Sequence, residues 1–504
     1  MPARSKVLWR TIYALGLLSA VYWLANAAMN SQAGELEYTG VNLSGAEFGQ
    51  GSLPGTYGTN YTYPTNSEVD YYTGKGMNTF RLPFRWERMQ TTPDATLNAT
   101  QLGYMDSFVN YATSKGDYVL LDPHNFERYY PSTSNFQSSS NGLIGGTVAD
   151  AQASYNTLNG TGSGANVVVT NSMFANFWGQ MASHYKNNSH VIFDLMNEPN
   201  NVTASQVVTT DNAAIAAIRA AGASNLVLIE GTSYTGAWTW TSSGNAAAIV
   251  NPTTGAVNIV DPDNNWAIEM HQYMDSDGSG THATINNNDP MTGVERLQDA
   301  TQWLEQNHLR GFLGEFAVDN SIINKNNPSD PNTLGNEVLN NTLQYMQANS
   351  SAWMGWTFWG GGPWWANNSL FHIDPVNGVD QNVMPVLQQY LPKAGDFNRD
   401  GHVDASDIQA MEAALSDLHG WETSETAQGL NSTQENLIAD VNKDGVINNA
   451  DLQALINLVN SGGGSDTAVP EPASLVMLGL AACFLPVMRR RHRCFFKNDP
   501  ATIL

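Results

Sequence analysis

The chain is poor in cysteine: it has two, Cys483 and Cys494, and both lie near the C-terminus. No disulfide can staple the preceding residues, so their stability must come from a large core and bound ions. Basic residues are scarce as well, with 22 Lys and Arg against 46 Asp and Glu and a formal net charge of −24. A nucleic-acid backbone demands a basic footprint, so nucleic acid is excluded as a partner. No Gly-rich phosphate fingerprint follows the first strand-like run, which disfavours an open doubly wound nucleotide fold. What the 504 residues do have is aromatic mass, 14 Trp and 19 Tyr, enough for a substantial core and for flat binding platforms.

Both ends carry address labels. Residues 1–10 are basic, 11–24 are apolar, and Ala25-Asn26-Ala27 fits a small-x-small cleavage site. Residues 1–27 therefore read as a secretory signal peptide, with an uncleaved N-terminal anchor as the alternative. The protein is expected to be exported, either secreted or associated with the cell surface or envelope.

Between residues 38 and 362, strand-like apolar runs recur at 38–45, 79–86, 118–125, 191–199, 225–232, 266–273, 311–316 and 353–362. Helical patterns at 172–185, 211–222 and 293–307 fall between them. Eight strands alternating with helices predict an α/β fold, a (β/α)₈ TIM barrel. The second strand holds Arg81 and the third ends at His124-Asn125. The fourth ends at Asn197-Glu198, the sixth carries His271 and Tyr273, the seventh Glu315 and the eighth Trp359. In a barrel these strand ends converge on one mouth.

Each of these residues also has a plain structural explanation, as a solvated strand end, a hydrogen-bonded histidine or a core tryptophan. Taken together, a glutamate pair on strands four and seven, on opposite sides of a barrel, has the makings of an acetal-cleaving site. One carboxylate attacks the anomeric carbon and the other protonates the departing oxygen. Retention needs a separation of about 5–5.5 Å; about 6.5–9.5 Å leaves room for water and inverts. Arg81 near Glu315 would favour its carboxylate, and Tyr273 could donate to it. Asn197 could hold the sugar 2-hydroxyl. Pro199 should hold Glu198 in an extended backbone. Trp238, Trp240, Trp364 and Trp365 are candidates for lining the cleft or for packing beneath its loops.

The ordered motifs NTFRLPFRW, LDPHNFERY, FDLMNEPN, IEMHQYMDSDGSGTHA, GFLGEFAV and GWTFWGGG resemble glycoside hydrolase family 5 over residues 35–393. The HQYMDSDGSGTHA and GVNLSGAEFG stretches are most similar to its endo-β-1,4-glucanase branch. That resemblance implies a retaining cellulase with Glu198 as acid/base and Glu315 as nucleophile. It places Arg81, His124, Asn125, Asn197, His271, Tyr273 and Trp359 around the reacting sugar, with no catalytic cofactor. The substrate would be cellulose or a related β-glucan. Rival readings are action on mixed-linkage glucan, mannan or xyloglucan, or a non-catalytic carbohydrate-binding or scaffold-associated protein; mere binding would require neither acid.

After Pro392 the sequence repeats itself, as DFNRDGHVDASD at 396–407 and DVNKDGVINNAD at 440–451. Oxygen donors occupy the positions of a calcium loop in both copies. They are Asp396, Asn398, Asp400, His402 (carbonyl), Asp404 and Asp407, then Asp440, Asn442, Asp444, Val446 (carbonyl), Asn448 and Asp451. Asp in place of Glu at the last position, with the duplication, resembles a type I dockerin domain over 394–460. This small all-α unit would hold two structural Ca²⁺ ions and take a cohesin-type scaffold protein as partner; a calcium-stapled spacer is the alternative. Residues 461–468 read as a Gly/Ser linker. VPEP, an apolar stretch and RRRHR over 469–493 resemble a bacterial PEP-CTERM sorting signal, which implies a membrane and a sorting protease, or else a plain C-terminal anchor. Residues 494–504 form a short tail.

Overall fold

The computed structural model describes residues 36–130, 142–145, 169–367, 369–399, 403–427, 432–442 and 444–461. The expected signal peptide, nearly all of the linker, the sorting segment and tail, and the expected ligands Asp400 and His402 lie outside the described residues. Eight strands, β1 (Tyr38–Leu43), β2 (Thr79–Phe84), β3 (Tyr118–Pro123), β4 (Val191–Asp194), β5 (Val227–Ile229), β6 (Trp266–His271), β7 (Gly311–Phe316) and β8 (Trp353–Gly361), pair in parallel in sequence order. β8 returns to β1, so the sheet closes into a barrel, as the alternation predicts.

The expected helical stretches form as Asn171–Tyr185, Ala204–Ala220 and Thr292–Asn307. Ala99–Ser114 and Leu334–Ala348 add two long helices that the sequence reading does not mark. The first buries Met105, Phe108, Val109 and Ala112, an i, i+3, i+4, i+7 spacing that faces the sheet, and the Asn98 side chain caps it. Every strand but β7 is shorter than expected, β4 and β5 by the most. β4 stops at Asp194 and β5 at Ile229, so Asn197-Glu198 and Glu230 stand on the turns beyond. Asn197 N–H donates back to the Pro123 carbonyl at 3.2 Å, turning the chain into the mouth rather than along the sheet.

Period-two alternation builds the barrel interior in layers. Tyr38, Leu120, Ile192, Leu228, Ala267, Phe312 and Met354 form a small apolar core of their own that closes one end. Two residues further along the same strands come Asp122, Asp194, Glu230 and Glu269, all buried. One more step along β6 reaches His271, and along β3 reaches His124. The larger core lies between the sheet and the surrounding helices. A separate C-terminal unit of four helices, Ala405–Ser416, Leu418–Ala427, Ser432–Ala439 and Asn449–Asn460, packs around Phe397, Met411, Ile438 and Leu455.

Candidate active site

Arg81 is the hub of the barrel mouth. It is completely buried, and its guanidinium reaches Asp122 (3.0 Å), Asp194 (3.1 Å), Glu230 (3.2 Å), Glu269 (2.7 Å) and Glu315 (3.0 Å). It also donates to the side-chain oxygens of Asn42 and Asn197, at 3.2 and 3.0 Å. Burial alone would lower its pKa, but Asp122, Glu269, Asp194 and Glu315 outweigh it and keep the guanidinium charged. One guanidinium cannot balance five carboxylates. Burial, reinforced by the neighbouring acids, pushes Asp194 and Glu230 well above the usual carboxylate range.

Glu315 is placed by donors on both oxygens. Arg81 Nη1 donates to Oε1, and the Tyr273 hydroxyl donates to Oε2 at 2.7 Å. Burial and then the Glu315 charge raise the Tyr273 pKa well above that of a free phenol, so the hydroxyl keeps its proton to donate. Gly314, just before it, has no room for a side chain: a Cβ would run into the Glu269 carboxylate. Its carbonyl accepts from Asn42 Nδ2 and Thr357 Oγ1, at 2.7 and 2.6 Å, which ties β7 to β1 and β8.

Glu198 faces Glu315 with His271 between them. His271 Nδ1 lies 2.9 Å from Glu198 Oε1 and 3.6 Å from Glu315 Oε2. One carboxylate oxygen from each glutamate and a ring nitrogen of His271 all lie within 4.8 Å of one another. β4 and β7 are three strands apart around the ring of eight, enough for their side chains to meet across it. That spacing fits direct attack by a carboxylate and leaves little room for an intervening water.

The expected extended backbone at Glu198 is not what forms. Its φ is +47°, in the left-handed region, although a proline follows. Such a conformation costs an L-residue about 1–2 kcal/mol. Tertiary hydrogen bonds hold it: Glu198 N–H donates to Glu230 Oε2 at 2.6 Å, and the Asn197 carbonyl accepts from Phe126 N–H at 3.0 Å.

The other expected residues divide into two groups. Asn197 is buried, gives its oxygen to Arg81, and has no partner for its Nδ2 among the described residues. His124 accepts or donates at Asp122 (2.9 Å) and stacks nearly parallel with Trp359 at 5.8 Å between centroids. Asn125 is turned away from the mouth: its oxygen accepts from Trp86 N–H and its Nδ2 donates to Glu87. It supports the loop below the site and does not line it.

The four loop tryptophans also separate. Trp238 is 47% exposed, with its ring over the Arg296 guanidinium at 4.5 Å. Trp364 is 40% exposed, and Trp365 stands edge-on to Trp359 at 6.0 Å. Trp240 is fully buried and packs against Trp303. A cavity of about 780 Å³ opens beside Glu198 and His271, lined also by Tyr234, Trp238 and Gln272.

Sequence reasoning missed Asn42, Asp122, Asp194, Glu230 and Glu269. Their signal was available: each is a polar residue in, or directly after, an otherwise apolar strand.

In the C-terminal unit the two loops close in the same way. Asp407 accepts from Asn398 N–H and Asp404 N–H, and Asp451 accepts from Asn442 N–H and Asn448 N–H. Carboxylate oxygens of Asp440, Asp444 and Asp451 lie within 4.8 Å of one another, and Gly445 makes the turn at φ +84°. Three converging hard oxygen donors around a glycine turn fit a calcium ion.

Comparison with known proteins places these features. Residues 39–362 match the family model for cellulase (glycosyl hydrolase family 5), and residues 394–460 match the dockerin type I domain. Endoglucanase 3 of Humicola insolens is 33% identical over 71% of this chain and 79% of its own length. Endo-beta-1,4-glucanase B of Aspergillus niger is 35% identical over 71% of this chain and 92% of its own. The crystal structure of an endo-beta-1,4-glucanase from Xanthomonas axonopodis pv. citri aligns with a TM-score of 0.59 at 36% identity, covering 70% of this chain and 98% of that one. Pseudomonas stutzeri endoglucanase Cel5A in complex with cellobiose aligns with a TM-score of 0.56 at 29% identity, covering 71% and 93%.

Proposed function

This chain belongs to glycosyl hydrolase family 5, and on that basis we infer that it is an endo-acting β-1,4-glucanase that hydrolyses cellulose or related β-glucans with retention. The observation that carries the reading is the close approach of Glu198 and Glu315 across the barrel mouth.

Glu315 is the nucleophile. Arg81 and Tyr273 aim it and stabilise its carboxylate until it bonds to the anomeric carbon. Glu198 is the acid/base. Its proton passes to the departing oxygen as the glycosidic bond breaks, and it then takes a proton from the water that cleaves the glycosyl ester. Two inversions at one carbon give net retention. Asn197 Nδ2, which has no partner among the described residues, can donate to the sugar 2-hydroxyl. Trp359, braced by His124, offers a flat face to a pyranose ring. The cavity beside Glu198, with Trp238 on its wall, receives the leaving-group side of the chain.

The C-terminal unit is a type I dockerin domain. Its two loops would hold one Ca²⁺ each: Asp396, Asn398, Asp404 and Asp407 in the first, Asp440, Asn442, Asp444, Val446, Asn448 and Asp451 in the second. Calcium supplies no chemistry to the reaction; it neutralises the loop carboxylates and fixes the adjoining helices. Its partner is a cohesin-type scaffold protein outside the cell. The expected catalytic unit (35–393), dockerin (394–460), signal peptide (1–27), linker (461–468), sorting segment (469–493) and tail (494–504) complete this organisation. Export at the N-terminus and a PEP-CTERM-type signal at the C-terminus would place the enzyme outside or on the cell surface.

Reducing-sugar release from carboxymethyl-cellulose, barley glucan, mannan and xyloglucan tests the substrate. Cellulosic and barley glucans are the expected substrates; exclusive release from mannan or xyloglucan would reassign it. No release from any of the four by the folded protein would overturn hydrolysis itself.

A further inference from the structure

Glu230 has no place in the displacement just described, yet it is in contact with the Glu198 backbone and with two side chains that reach both catalytic carboxyls. It follows the short strand β5 and is almost entirely buried. Its Oε2 accepts the Glu198 backbone N–H at 2.6 Å. Its Oε1 accepts from Arg81 Nη2 at 3.2 Å, and Arg81 Nη1 donates to Glu315. The same Oε1 lies 3.8 Å from His271 Nε2, whose ring presents Nδ1 to Glu198.

The conformation of Glu198 explains why such a contact is needed. A glutamate before proline is sterically steered away from helical geometry, and this one lies in the left-handed region. Its flanking peptides are held from several directions. Asn197 N–H bonds to Pro123 at the end of β3, and the Pro199 carbonyl accepts from Tyr234 N–H beyond β5. Asn200 Nδ2 donates to the Glu198 carbonyl at 3.3 Å. The Glu198 N–H itself is taken by the Glu230 side chain, the shortest of these bonds. Thr235, also left-handed, donates its hydroxyl to the Glu269 carbonyl and so fastens the β5 loop that carries Glu230 to β6.

We propose that Glu230 is a positioning residue for the acid/base step: it holds Glu198 in its left-handed conformation and sets that residue's carboxyl relative to Glu315. The proposal rests on the assignment of Glu198 as acid/base. Glu230 touches neither substrate nor reacting atoms; it acts through the Glu198 backbone, Arg81 and His271. Glutamine at this position retains an oxygen that can accept the Glu198 N–H, whereas alanine cannot.

Leaving-group dependence separates positioning from general damage. An aryl cellobioside with a dinitrophenolate leaving group needs no proton to depart, whereas a cello-oligosaccharide does. The proposal expects Glu230→Ala to lower kcat on cellotetraose by roughly 10²-fold, the scale of lost general acid catalysis, with little change in KM. The rate of aryl release from the dinitrophenyl substrate in the first turnover should fall far less. Azide should accelerate steady-state turnover of that substrate, as it does when the base of the second step is impaired. Glu230→Gln should recover most of the cellotetraose activity.

Equal losses on both substrates, or unchanged cellotetraose activity in Glu230→Ala, would overturn the proposal. Glu198→Ala, run in parallel, keeps the two readings apart. If it too lacks leaving-group dependence, the acid/base assignment fails; if it has that dependence and Glu230→Ala does not, the role given to Glu230 alone fails.

Discussion

His271 Nδ1 stands 2.9 Å from Glu198 Oε1, within hydrogen-bonding distance of the proposed acid/base. Burial alone would lower the imidazole pKa, yet Glu315, Glu230 and the bonds to Glu198 and Glu269 hold it well above the ordinary value of 6.5. The ring is therefore an imidazolium that can donate to Glu198. Because the folded-state value is raised, this group's contribution to stability is complete below pH 6.5 and is lost as pH rises through the folded value. Thermal melting followed from pH 6 upwards should show Tm falling, and His271→Gln should flatten that fall. The same variant should lose roughly 10- to 100-fold in kcat/KM. A Tm profile identical to that of the parent would remove His271 from the charged network.

The two glutamates should give opposite azide products. Glu315→Ala leaves a hole on the α face of the sugar, so azide with an activated β-cellobioside should yield the α-azide. Glu198→Ala keeps the covalent intermediate, so azide should open it to the β-azide. Both variants should lose at least about 10³-fold on natural glucan. Proton NMR of the anomeric coupling distinguishes the products, and a β-azide from Glu315→Ala would reverse the assignment.

Glu127 offers a stability test away from the chemistry. Burial pushes its carboxyl up to about 7. An acid raised in the folded state contributes its stability at low pH and loses it as pH climbs from the unfolded value, 4.5, through about 7. Glu127→Gln should accordingly be more stable than the parent at pH 8, by about 1–3 kcal/mol from the size of the shift, and no more stable at pH 4. Urea unfolding at the two pH values reads the difference, and equal shifts at both would rule out titration of this group.

Calcium should act on the C-terminal unit alone. Titration calorimetry of the full chain is expected to find two Ca²⁺ ions, and Asp451→Ala should remove one of them. Chelation should lower the melting of the C-terminal helices while leaving kcat on soluble glucan within about twofold, since the barrel chemistry draws on no ion. A parallel loss of activity on chelation would contradict that separation.

Much of this was legible in the chain. Strand-length apolar runs separated by helical patterns specify strands and helices, and eight repeats leave few arrangements besides a closed barrel. Residues in and after the later parts of such strands converge on one mouth, so Glu198, Glu315, Arg81, His271 and Tyr273 could be named as candidates, with the family resemblance supplying their roles. The duplicated aspartate spacing was equally local, because a calcium loop draws its donors from a dozen consecutive residues.

What the chain could not reveal by itself concerns groups that meet only after closure. Asp122, Asp194 and Glu269 on three strands and Glu230 just beyond a fourth acquire meaning through one guanidinium from a fifth. Local preference placed Glu198 in an extended backbone before its proline. The structure turns it left-handed because a carboxylate 32 residues away takes its N–H. Asn125 and Trp240 looked like candidates for the site and were drawn elsewhere, one to Trp86 and Glu87, the other under a loop against Trp303. Sequence determines which side chains reach the mouth, since strand periodicity is a local property. Only the tertiary structure decides what each one faces there, because hydrogen bonds and charges act through space and not along the chain.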